Sequence, residues 1–181
     1  FSVGALVGYN TGTISNVKAK DIVVSGSGRA IVGGLVGSNW SGTIDRASVS
    51  GRVDGGRDSL AVGGLVGDSL TVLWPDRGQA TISNSHANVQ IVSHSAGGTG
   101  GLVGANRGII SGSTAAGSIS APAHAARVVG LVIIHEIGGV TTSSSTVTVR
   151  PNPGARPGAL VGHTLAPRAP RPVPRSRPPS R

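Results

Sequence analysis

Cysteine is absent from the 181 residues, which excludes disulfides, zinc–thiolate sites and thiol catalysis. Methionine is absent as well, and the chain opens on Phe1, so the expectation is a processed or excised piece whose targeting segment lies elsewhere. Aromatic residues make up only 2% of the chain, whereas compact cores usually draw much of their buried area from them. Long apolar runs are missing too: the longest, around 128–134, falls far short of the ~20 residues that span a bilayer. Acidic residues number seven against sixteen lysines and arginines, a net charge of +9. The excess is local. From Arg150 to Arg181 there are seven arginines and no acid, while the preceding 149 residues hold nine basic and seven acidic side chains, a net of +2. A nucleic-acid-binding body is therefore not expected; the basicity belongs to the tail.

What the chain has in abundance is glycine, thirty residues of it, and the glycines recur in phrases. VGALVGYNTGTIS at Val3, VGGLVGSNWSGTID at Val32, VGGLVG at Val62, TGGLVGANRGIIS at Thr99 and GALVG at Gly158 are versions of one unit. The marker leucines Leu6, Leu35, Leu65, Leu102, Leu131 and Leu160 are spaced 29, 30, 37, 29 and 29 residues apart. A second marker follows each of the first five: Ile14, Ile44, Ile82, Ile110 and Val140. The long interval belongs to the third copy, where DSLTVLWPDRGQ carries an insertion. Beyond the second marker, positions +3, +5, +7 and +9 form small or apolar columns, such as Ala47, Val49, Gly51 and Val53. Polar residues such as Lys18, Arg52, His86 and Gln90 fall between them. This period of two predicts a strand with one buried face, and the odd step before +3 predicts a corner or bulge. Val23 is expected inward in the first copy, and Asp21 breaks the inward pattern.

Each unit thus reads as a strand over V-G-G-L-V-G, a turn at Asn10–Gly12, Asn39–Gly42 or Asn106–Gly108 of left-handed or tight geometry, a short strand, a corner and a longer strand. About thirty residues of this kind cannot bury their own apolar face, but stacked units can. The predicted fold is all-β: a parallel β-solenoid, right-handed in the expected form, of about five repeats over residues 1–162, followed by a disordered Pro/Arg-rich tail at 163–181. A β-sandwich or a propeller-like blade array is the competing arrangement; helical repeats are excluded by the glycine density and the β-branched runs.

The recurring G-G-L-V-G-x-N-x-G-x-I-x-x-S resembles the GLUG repeat of large bacterial secreted and surface proteins. These include filamentous-haemagglutinin-like adhesins and autotransporter passengers resembling IgA proteases. The resemblance runs from about Val3 to Gly162 and is best in the second copy, with GGLVG at 33–37 and GTID at 42–45. The third copy departs by its insertion and the fifth by VVGLVIIHEIGG. It implies an extracellular β-helical stalk and no catalytic residues within the repeats.

Candidate sites are few. His135–Glu136 begins like H-E-x-x-H, but Gly139 stands where the second ligand belongs. His86, His94, His124 and His163 lack ligand spacing, and neither a G-x-S-x-G elbow, a phosphate-cradling glycine motif nor the calcium-binding nonapeptide is present. Asp45, Asp54, Asp58, Asp68 and Asp76 share no repeated register that would build a carboxylate pair. Neither catalysis nor a cofactor nor a metal is expected. The candidate binding loop is Leu73, Trp74, Pro75, Asp76 and Arg77, set against the alternative that Trp74 tucks onto the stack; Trp40 poses the same choice. Asn39-Trp40-Ser41 is formally a glycosylation sequon. The tail reads either as a grip on anionic surfaces or as a non-native terminus.

The function expected is a non-enzymatic stalk or binding region of a bacterial secreted or surface adhesin. The alternative is the stem of an autotransporter-type protease or polysaccharide-processing β-helix enzyme. Expected partners are a host glycan or surface protein and flanking repeats of the same parent chain, with no specific nucleic acid. Open solenoid ends add the expectation of self-association or marginal stability.

Overall fold

A computed structural model describes residues 1–72, 78–94, 97–121, 127–134, 138–151, 157–158 and 160–162. The second coil shows the plan, with strands Ile31–Gly33, Val36–Trp40, Thr43–Asp45 and Ser48–Gly55. Each of these pairs in parallel with its counterparts in the coils before and after it, generating four sheets that run along the stack. Coils over 1–26, 31–55, 61–93 and 98–121 contribute a strand to every sheet, and 127–151 continues the pattern. The described residues contain no helix. The chain is a parallel β-solenoid.

The repeat frame read from the leucines is the physical register. Leu6, Leu35, Leu65, Leu102 and Leu131 each donate a backbone N–H to the carbonyl of the next marker leucine, at 2.8–3.0 Å, ending on Leu160. Ile14, Ile44, Ile82, Ile110 and Val140 are consecutive Cα partners. Leu35, Leu65, Leu102 and Leu131 are fully buried, as are Ile44, Ile82 and Ile110, and together with Val32, Val53 and Ile91 they fill one continuous core. Like residues therefore stack on like, ~4.8 Å apart, which is why a narrow interior takes Val, Ile and Leu and excludes large rings.

The G-G-L-V-G phrase differs from the expected single strand. It is two strands, one ending at Gly33 or Gly63 and the next starting at Val36 or Val66, with the chain turning at the Gly-Leu step. The two strands close so tightly that a Cβ at Gly63 would lie 1.9 Å from the Val66 carbonyl oxygen. Glycine is demanded there by space.

The predicted corner after the second marker is a column of left-handed residues. Asn16, Arg46, Asn84, Gly112 and Thr142 have φ of 55°, 50°, 48°, 53° and 46°. Only one of the five is glycine, so the corner is held by its surroundings. At Ser85 and Ser113, the residues just past it, each hydroxyl donates to its own corner carbonyl, on Ser83 (2.7 Å) and Ser111 (2.8 Å). The same oxygens accept the N–H groups of Ala47 and Ser85 in the coil before, both at 3.1 Å, and Ser143 repeats the arrangement beneath Ser113.

The turns at Asn10–Gly12, Asn39–Gly42 and Asn106–Gly108 are tight, with Ser41 left-handed at φ 50° in the second copy, while Asn10, Asn39 and Asn106 themselves lie at or near strand ends with buried side chains that bridge the turn. The Asn39 amide donates to the Gly42 carbonyl at 2.9 Å, Asn106 to Gly108 at 2.9 Å, and Asn10 to both Gly12 and the Asn39 side chain. In the first coil a β-bulge at Lys20–Asp21 places both residues opposite Ser50, with Asp21 at φ 52°. The bulge shifts the rest of that strand by one, so Ile22 and Val24 face inward while Val23 is 80% exposed. Asp21 thus violates nothing; it is the extra residue.

Candidate binding surface

Because the interior is saturated by the repeat columns, any ligand must meet the outer faces or the corners. The loop Leu73–Arg77 lies outside the described residues, but its roots are clear. Leu70 pairs with Trp40, and Ala80 replaces Gly42 of the coil before, donated to by Ile109 N–H as Gly42 is by Thr81 N–H. The root is tied by Val72 N–H on the Ser41 hydroxyl and Ala80 N–H on the Thr71 hydroxyl, both 3.1 Å. These roots sit at the corner between the second and third sheets, and the register is kept on either side of them.

Directly beside that root is a feature the sequence reading did not assemble. The rings of Tyr9 and Trp40 lie with centroids 5.2 Å apart and planes tilted by 54°. Tyr9 is in register with Ser38, so the two rings come from adjacent coils offset by two residues along the second sheet. Tyr9 is 49% and Trp40 37% exposed, so Trp40 leans on its neighbour without entering the core. The signal was present in the sequence, since both aromatics flank the N-x-G turn asparagine in consecutive copies, but only the lateral offset brings them together. The same file continues from Ser38 to Asp68 and Ala105. Burial pushes the Asp68 carboxyl above its ordinary pKa, against the opposing pull of the Arg107 guanidinium.

The fourth sheet offers a polar outer face. Lys18, Lys20, Ser48, Ser50, His86 and Asn88 line a shallow depression of about 210 Å³, and His86 Nδ1 is in a short hydrogen bond with the Thr114 hydroxyl. A second hollow, about 450 Å³, sits at the corner leading into the first sheet, lined by Arg29, Asp58, Ser59, Leu60 and Gly97.

The remaining acids serve the scaffold. Asp45 accepts hydrogen bonds from Asn84 Nδ2 (3.0 Å) and the Ser83 hydroxyl (2.8 Å) in the next coil and pairs with Arg46 at 2.7 Å. The Asn84 and Ser83 bonds, with help from Arg46, hold its pKa below the ordinary carboxylate value. Asp54 faces Arg52 at 3.8 Å and Asp58 occupies a left-handed corner at φ 62°. Asp76, His124, His135, Glu136, His163 and the tail 163–181 lie outside the described residues. Among the described residues no cluster of three His, Asp or Glu could hold a metal ion.

Comparison with known families matches the GLUG motif at residues 1–24 and 28–54, the first two copies of the repeat. No curated protein and no solved structure matches the chain. The GLUG resemblance is shown at those two places, and strand register carries the same unit onward through the later copies. Motif and fold together fit a repeat-containing protein of the extracellular type.

Proposed function

We propose that this chain, with its GLUG motifs and its single stacked core, is a non-enzymatic stem and binding region of a bacterial surface or secreted adhesin. What supports the reading above all is the division of labour between interior and exterior. The inward columns keep small or aliphatic residues from coil to coil, while outward files vary, as from Lys18 to Ser48, His86 and Thr114 on the fourth sheet. A repeated interior makes a stiff rod, and a varied exterior makes a surface that can be specific. The carboxylates that a hydrolytic β-helix would pair on one face are instead spread among corners and scaffold hydrogen bonds, as with Asp45 and Asp54.

The reading is tested with the full chain in two assays. Brief protease treatment of intact source cells should remove the protein from the outer surface, and the purified chain should turn over no peptide or polysaccharide in a broad hydrolase panel. Turnover of any substrate would favour the stem of a secreted enzyme. Protection from external protease in intact cells would remove the surface reading altogether.

A further inference from the structure

The chain has four aromatic residues, and none of the three that are described contributes to the core. Phe1 is 76% exposed, and Tyr9 and Trp40 form their tilted pair on the outer face of the second sheet. Stacking does not demand those rings. At the Tyr9 position the following coils carry Ser38, Asp68 and Ala105, and at the Trp40 position the next coil carries Leu70, with parallel pairing intact throughout. A solvent-facing Trp–Tyr pair that the scaffold can do without is a feature whose use lies outside the scaffold.

The chemistry around the pair narrows the occupant. The two rings, tilted by 54° and each partly exposed, present an apolar surface that is electron-rich on the ring faces. The apolar face of a pyranose, with its polarised axial C–H groups, is complementary to such a surface, while its ring hydroxyls project sideways and need acceptors and donors. Both stand in the same patch: the half-buried Asp68 carboxylate, two coils along the Tyr9 file, and the exposed guanidinium of Arg107, whose backbone N–H is anchored on the Ser69 carbonyl at 2.7 Å. A carboxylate at the rim disfavours an anionic sugar. We propose that Tyr9, Trp40 and Asp68 form a binding site for a neutral pyranoside, the sugar face resting on the aromatic pair and its hydroxyls donating to Asp68. The site deepens the reading of the solenoid as a binding stem and rests on it, but its test does not depend on export or on turnover.

The experiment uses the full chain carrying Trp74→Phe, so that indole emission reports Trp40 alone. Cellohexaose, maltohexaose and laminarihexaose are titrated to about 10 mM, the weak-affinity range of a single shallow site, with sialyllactose as the anionic comparison. The expected result is a saturable emission change with at least one neutral hexamer and none with sialyllactose. Tyr9→Ala and, with native shape retained, Asp68→Asn should each weaken it about tenfold or more, which isothermal calorimetry on Trp40→Ala in the otherwise native chain should reproduce. No saturable change with any hexamer, equal response to sialyllactose, or affinity unchanged in Asp68→Asn and Trp40→Ala would overturn the proposal. Capture of a protein ligand through the same residues without sugar binding would also overturn it.

Discussion

The first coil and the three that follow it are written in nearly the same letters, yet they live in different environments. Leu35, Leu65 and Leu102 are completely buried, whereas Leu6, at the same place in its phrase, is 47% exposed. Val3, Val7, Ile14 and Val17 pack only partly against the core that their counterparts fill. Identical residues differ here because burial in a solenoid is supplied by the neighbour on each side, and the first coil is described with a neighbour on one side only. That coil also carries both lysines of the chain, Lys18 and Lys20, and the Lys20–Asp21 bulge, in its longest strand.

The contrast can be broken most strongly at the core. Gly63→Ala drives a methyl into the Val66 carbonyl, and Leu65→Ala empties a sealed position; each is expected to cost about 3–5 kcal/mol in urea unfolding. Leu6→Ala, the same change in the first coil, should cost less than about 1.5 kcal/mol. Equal losses for Leu6 and Leu65 would show that the end coil is as well packed as the middle. Next comes the serine ladder. Ser113→Ala removes the acceptor for the Ser85 N–H inside the stack and should cost about 1–3 kcal/mol.

Smaller effects separate the asparagines of one file from the serine that interrupts them. Ser69 stands where Asn10, Asn39 and Asn106 stand in other coils, and its buried hydroxyl has no hydrogen-bond partner among the described residues. Ser69→Ala should be neutral or mildly stabilising by thermal melting, whereas Asn39→Ala, which frees the Gly42 carbonyl, should lower the midpoint. The smallest signal is in pH. The depressed Asp45 carboxyl contributes stability that is present above its ordinary value and lost as acid protonates it in the folded state. Asp68 works in the opposite sense: its raised pKa makes the ionised form the strained one, so stability falls as pH rises through its titration and recovers on acidification. Melting curves of Asp68→Asn should therefore gain at neutral pH and show a steeper net acid loss than the parent chain. A flatter acid limb would contradict the assigned sign.

Much of the architecture was legible in the residues because one-dimensional stacking converts sequence period directly into spatial register. The leucine spacing became a chain of backbone hydrogen bonds, and the odd step after Ile44 became a left-handed corner at Arg46. Legibility failed where geometry within a coil, as opposed to between coils, decides. Nothing in V-G-G-L-V-G distinguishes one strand from two joined at a right turn. A bulge at Asp21 looks in sequence like a charge in the core. The candidate loop Leu73–Arg77 was visible as an insertion, but the aromatic pair beside its root was not, since Tyr9 and Trp40 occupy non-equivalent positions of their copies.

By itself, then, the sequence determined the fold class, the period and the marker columns of leucine and isoleucine, because in a solenoid each marker's principal neighbours are its counterparts in the adjoining copies. Tertiary structure alone decided the four-sided cross-section, the inward turn of Asn10, Asn39 and Asn106, the displaced register around Asp21 and the meeting of Tyr9 with Trp40. Those depend on where the backbone bends and how far each side chain reaches, and periodicity carries no information about either.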